Sequence, residues 1–110
     1  MRIEPELLLH IKEDFLMGSG KVIVVEMKLQ KLPGINKKEF PQDYKFNLIA
    51  YNKVNVEEYI LVDNHDRKEP HWHDDNHEEF FSWVSWEVTL ELFLQKTIKK
   101  FGSFQKKANK

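Results

Sequence analysis

Hydrophobic and polar positions change their spacing along this chain, and each change marks an element. Leu7-Leu8-Leu9, Ile11 and Phe15-Leu16-Met17 form an apolar stretch of mixed period. Gly18-Ser19-Gly20 interrupts it, and a β-branched segment from Lys21 to Leu32 follows, with Val22, Ile23, Val24 and Val25 at its start. Such runs around a short glycine-containing connection predict a hairpin. Pro33-Gly34 then reads as a turn and residues 34–43 as a loop. Tyr44, Phe46 and Leu48 alternate with polar residues, as one face of a half-buried strand does. Asn52-Lys53-Val54-Asn55 turns the chain into a further strand, Val56 to Val62, which should pair antiparallel with its predecessor.

From Ser85 the spacing becomes helical. Trp86, Leu90, Phe93, Leu94, Thr97, Ile98 and Phe101 recur at three- and four-residue intervals. Ser85 suits an N-cap, Glu87 the first turn and Gly102 the stop. The expected fold is α+β: an antiparallel β-meander of about four or five strands with a C-terminal amphipathic helix packed on one face. One domain is expected over residues 1–102, with a basic, flexible tail over 103–110.

Composition narrows the class. The chain has 110 residues, 41% of them hydrophobic and 32% charged, which suits one modest core. Absence of cysteine removes disulfides and thiolate chemistry and fits a reducing compartment. The N-terminus lacks the basic flank and apolar stretch of a signal peptide, and no run approaches the roughly 20 residues of a membrane helix. A cytoplasmic protein with no membrane partner is expected. The net charge of -1 hides a segregation. Eleven acids lie between Glu57 and Glu91 against only Arg67 and Lys68, whereas six lysines and no acid follow Gln95. Those lysines suit either phosphate contact or the negative end of a helix dipole.

The segment Val62 to Glu79 carries the candidate chemistry. Four of the five histidines (His65, His71, His73 and His77) fall within thirteen residues, interleaved with carboxylates. Imidazole titrates near neutrality and binds metals readily, so such a cluster points to proton transfer or metal ligation. On an extended backbone, His71 and His73 share one face and Trp72 the other. The pair could hold a divalent ion, with Asp63, Asp74 or Glu78 as a hard ligand. It could equally act without metal, one ring as base and one as acid. The plain alternative is a solvated, charged loop. Trp83 and Trp86 read as core at the strand–helix junction, and His10 as a partly buried histidine with a satisfied ring.

Asp63-Asn64, Lys68 and His71-x-His73, arriving off a strand and followed by Glu78-Glu79-Phe80-Phe81, resemble the core of the TumE-type toxin family of prokaryotic toxin–antitoxin systems. The resemblance extends back through Val24–Pro33 and forward to Ser85 and Phe93, covering about residues 15–101. Leu61 and Val62 stand where that family often has a basic residue and an aromatic, and His65-Asp66-Arg67-Lys68-Glu69-Pro70 replaces a turn that usually carries glycine. The resemblance implies a toxin neutralised by an antitoxin, typically a helix-turn-helix DNA-binding protein. RNA cleavage is the activity that suits the residues. His71 and His73 would serve as acid and base, Asp63 would orient an imidazole, and Lys68 or Arg67 would neutralise phosphate oxygens. Asn64, Arg67, Glu78 and Glu79 are the candidate substrate contacts. No cofactor is required in this scheme, and metal-independent acid–base chemistry is favoured over metal-dependent. If the chemistry is metal-dependent, His71, His73 and Asp63 are the expected ligands. The alternative is a non-catalytic metal- or partner-binding module. Exposed sheet edges would favour a homodimer or strand addition by the antitoxin. The local acids oppose RNA binding unless Lys45, Lys53 or the basic tail face the same groove.

Overall fold

The computed structural model describes residues 4–34 and 36–108. Met1–Ile3, Ile35 of the expected loop, and Asn109 and Lys110 of the expected tail lie outside the described residues. Strands β1 (Glu6–Met17), β2 (Val22–Lys31), β3 (Tyr44–Asn52), β4 (Asn55–His65), β5 (Lys68–Asp74) and β6 (His77–Phe80) run consecutively, followed by helix α1 (Trp86–Phe101) and β7 (Phe104–Lys107). They form one antiparallel sheet of seven strands in the order β6-β5-β4-β3-β2-β1-β7. The α+β meander with its C-terminal helix is present, with seven strands in place of four or five.

The added strands have physical causes. Residues 66–80, for which a solvated, charged loop is the plain alternative, form two further hairpin strands joined by the two-residue turns Asp66-Arg67 and Asp75-Asn76. Residues 103–110, expected as a tail, contain β7, whose Phe104, Lys106 and Lys107 pair with Met17, Leu16 and Phe15. Phe104 also stacks edge-on against Phe15, with centroids 5.1 Å apart.

Helix α1 covers one face of the sheet. Its side chains Phe93 and Phe101 join Ile23, Val25, Leu29, Phe46, Leu48, Ala50, Ile60 and Val62 in the buried core. Burying each such side chain stabilises the fold by about 1.5–3 kcal/mol before entropy is charged against it. A 16-residue helix is about 24 Å long, or five strand spacings of about 4.8 Å, so it carries the chain from β6 to β1. Ser85 caps it, its hydroxyl accepting from the Val88 N–H at 3.1 Å. Gly102 ends it at φ 85°, and a Cβ there would stand 2.8 Å from the Ser19 nitrogen. Glycine is therefore required where the helix end meets the β1–β2 turn. Trp83 and Trp86 pack against the core as expected, Trp83 stacking on Phe46 at 5.7 Å. His10 differs from expectation in being exposed, although its Nε2 lies 2.9 Å from Glu26. Among the described residues, no helix is long and apolar enough to cross a membrane.

Candidate functional site

The face opposite α1 is open, and register places the candidate residues on it. Ile60 and Val62 of β4 point into the core, so Leu61 and Asp63 point away from it. Pairing then aligns two cross-strand rows on the open face. One reads His10, Lys28, Asn47, Asp63, His71 and Phe80. The next reads Lys12, Glu26, Ile49, Leu61, His73 and Glu78. The extended backbone on which the His71-x-His73 reading depended is thus present. Three adjacent strands bring Asp63, His71, His73 and Glu78 together.

His71 is 1% exposed, beneath His73, Phe80 and His65, whose ring centroids lie 5.0, 5.5 and 5.8 Å away. Its Nδ1 is 2.8 Å from the Glu69 carbonyl oxygen, which makes Nδ1 the donor and fixes the ring. Its Nε2 lies 2.8 Å from Asp63 Oδ1 and 3.8 Å from Glu78 Oε2. His73 Nε2 lies 3.0 Å from Glu78 Oε2, and the Lys68 ammonium contacts the same oxygen. Asn47 donates to Asp63 Oδ2 at 3.2 Å and holds that carboxylate in place. Asp63, expected to orient an imidazole, lies against His71, whose ring is held through Nδ1 by the Glu69 carbonyl.

Two features of this packing are chemically unusual. Asp63 Oδ1 is buried and accepts no hydrogen bond, and Glu78 Oε2, also buried, has the Lys68 ammonium as its counter-charge. Buried carboxylate oxygens without a donor are costly and call for an explanation such as a bound ion. Second, one ring nitrogen each of His71 and His73 and a Glu78 oxygen all fall within 4.8 Å of one another. Ligands about 2.1 Å from a tetrahedral zinc stand roughly 3.4 Å apart, between the 3.0 and 3.8 Å separations of Glu78 Oε2 from the two rings. A ligating imidazole commonly donates its second nitrogen to a backbone carbonyl, as His71 does to Glu69.

Electrostatics favour ligand-ready states. Burial pushes the His73 imidazolium pKa down, as do the His71 and Lys68 charges, and Glu78 and Asp63 only partly offset this. His73 is thus predominantly neutral near pH 7, with a lone pair for a proton or a metal. The Lys68 ammonium holds the Glu78 carboxyl below its usual value, helped by the two imidazoles and opposed by desolvation.

Other expected contacts lie elsewhere. The Asn64 side chain is buried and points away from the open face. Its Oδ1 accepts from the Phe46 N–H at 2.9 Å, and its Nδ2 donates to the Glu39 and Tyr44 carbonyls at 2.8 and 2.9 Å. It clamps the entry to β3 and has no amide group left for a substrate. Glu79 pairs in register with Trp72, on the helix side, and neighbours His77. Trp72 takes the opposite face from the histidines, as expected, with Lys96 Nζ 3.4 Å above its ring. Arg67 is exposed in the β4–β5 turn. Lys53, named as a residue that could counter the acids, is paired with Asp14 at 2.6 Å. Lys45 does face the site's side, lining a groove of about 330 Å³ with Lys28, Gln30, Asn47, Asp63 and His65. Asn47, Lys28 and the Glu69 carbonyl were not singled out from sequence. Only the alternation of β3, carried across to its partners, could have pointed to the first two. No family model, curated protein or solved structure matches this chain.

Proposed function

We propose that the open-face cluster binds a divalent cation through His71, His73 and Glu78, with Asp63 beside His71, and that the chain cleaves RNA phosphodiesters there. The observation that carries this reading is the convergence of a ring nitrogen from each of His71 and His73 and a Glu78 oxygen within 4.8 Å of one another, beside the buried Asp63 Oδ1 that accepts no hydrogen bond. A cation bound there would act as a Lewis acid on a phosphoryl oxygen. The chain's own groups supply the rest. Glu69 and Asn47 hold His71 and Asp63 in their orientations. With Glu78 engaged by a cation, Lys68, now its ion-pair partner, would be free to neutralise a non-bridging phosphate oxygen. In the setting implied by the TumE-type resemblance, the chain would be the toxin and a co-expressed antitoxin would hold it in check.

A second reading is favoured by one contact, the Lys68–Glu78 ion pair. It already neutralises Glu78 and leaves His73 neutral as a base beside His71, so the pair can act without metal. Cleavage of a mixed-sequence RNA by antitoxin-free protein separates the readings. The stripped protein is run in EDTA, and with Zn²⁺ or Mn²⁺, beside His71→Ala/His73→Ala. Cleavage that requires the cation and vanishes in the variant supports the metal site. EDTA-resistant cleavage that vanishes in the variant supports the metal-free pair. Cation binding without cleavage leaves a non-catalytic metal-binding module.

A further inference from the structure

The open face carries more than the histidine cluster. Three of its acids have partners on it: Glu26 faces His10 at 2.9 Å, Glu78 contacts Lys68, and Asp63 lies between Asn47 and His71. Lys28 and Lys45 are exposed and have no acidic partner among the described residues. Both line the groove that runs up to Asp63 and His65, and His65 stacks edge-on against His71. Lys28 is three strands from His71 along one register row, or about 14 Å at about 4.8 Å per strand. On the other side of the cluster lies a shallow apolar depression formed by Ile49, Tyr51, Val56, Tyr59 and Leu61. The Tyr59 ring centroid is 6.4 Å from that of His73.

We infer that the open face is a binding track for single-stranded RNA. Lys28 and Lys45 hold backbone phosphates on one side of the cluster, and Tyr51 and Tyr59 receive a base on the other. This rests on the phosphodiester chemistry proposed above for its choice of ligand and adds where the strand lies. A basic groove beside half-buried aromatics on a sheet is a combination that can hold single strands, because every base has a face to stack. A duplex keeps its bases stacked inside and cannot use the tyrosines. Of the local acids, eleven against two basic residues in sequence, Glu26, Asp63 and Glu78 on the open face each have an imidazole or ammonium beside them, which lessens their opposition to this path.

The test is binding of a labelled 12-nucleotide 2′-O-methyl single strand to stripped protein in EDTA, over a salt series. The 2′-O-methyl groups and the chelator keep the probe intact. Lys28→Gln/Lys45→Gln should weaken binding about ten-fold or more and reduce the log–log salt slope by about 1.4, two phosphate contacts' worth. Tyr51→Leu, which keeps apolar bulk but removes the ring, should weaken binding about five-fold or more with the slope unchanged. Lys96→Gln/Lys99→Gln, on the helix side, should leave it unchanged. The inference is overturned if the wild type does not bind, if a duplex of the same length binds as well, or if the helix-side variant loses as much as the groove variant. Cation-dependent cleavage of bis(p-nitrophenyl) phosphate separates the two claims. Its presence without strand binding overturns the track alone, and its absence with groove-dependent binding overturns the chemistry alone.

Discussion

The Lys100 ammonium, in the last turn of α1, lies 2.5 Å from Asp74 Oδ1 at the end of β5. It also reaches Asp75 at 3.1 Å, so the helix C-terminus clamps the β5–β6 turn. The basic end of the chain and its acidic middle, separate in sequence, are partly one another's counter-charges.

That clamp sets a pH dependence of stability. Burial pushes the Lys100 pKa down, but the two aspartates outweigh it and hold it above the ordinary lysine value. Its contribution is complete below the unfolded pKa of about 10.4 and is lost as pH rises through the folded one. Glu58 behaves oppositely. The Lys21 ammonium and the Asn52 amide hold its carboxyl below the usual value despite some desolvation, so its contribution is present above about pH 4.3 and lost in stronger acid. Lys100→Met should lower Tm by about 4 °C at pH 7, for a loss of about 1 kcal/mol, and flatten the alkaline decline. Thermal melts from acid to alkaline pH check both limbs; an unchanged alkaline limb in the variant would remove Lys100 as its cause.

A cation that binds the folded site alone must raise stability. At a hundred times its Kd the gain is about 2.7 kcal/mol, or a Tm rise of about 10 °C. His73→Ala, lacking one donor, should lose most of that rise. A melt with and without Zn²⁺ measures it independently of any cleavage assay, and equal rises in both proteins would place the cation elsewhere.

Asn64→Ala should destabilise by about 3 kcal/mol, because it strands the Phe46 N–H and two carbonyls in a buried position. Cation affinity of the folded variant should match the wild type. Urea denaturation and a metal titration make the comparison; a stable variant with impaired metal binding would return Asn64 to the site.

Arg67 sits at φ 68° in the β4–β5 turn, a conformation that favours glycine. Arg67→Gly should stabilise by about 0.5–1 kcal/mol, the relief of left-handed strain less the added freedom of the unfolded chain. Asp75 also has a positive φ, 51°, but its carboxylate accepts from the Tyr59 N–H at 2.9 Å, so Asp75→Gly should destabilise. Chemical denaturation of the two variants should give opposite signs.

Elements with one apolar face were legible in the sequence. Phe46, Leu48 and Ala50 alternate into the core, and Ser85, Phe93, Phe101 and Gly102 mark the helix and its ends. The strands that carry much of the site were not, and the reason is physical. In β5 and β6 both faces are polar or amphipathic, with His71, His73 and Glu78 on one and Trp72, Asp74, His77 and Glu79 on the other. No apolar alternation announces them, and Arg67 stands where a glycine would have signalled the turn. β7 contributes a single apolar side chain, Phe104, and owes its strand form to the edge of β1. Of the site itself, the residue types and the shared face of His71 and His73 could be read in advance. The Asn47 and Lys28 neighbours required the register of β2, β3 and β4.

The two turns at Asp66-Arg67 and Asp75-Asn76 carry a consequence for how such a chain can change. Side chains on neighbouring positions of a strand face opposite ways, so losing or gaining one residue in the first turn exchanges the two sides of β5. Trp72 and Asp74 would then meet Asp63 on the exposed side, and both imidazoles would turn towards the helix. Point substitutions can adjust this centre by degrees, whereas a one-codon length change in a turn would dismantle it while every one of its residues was still encoded.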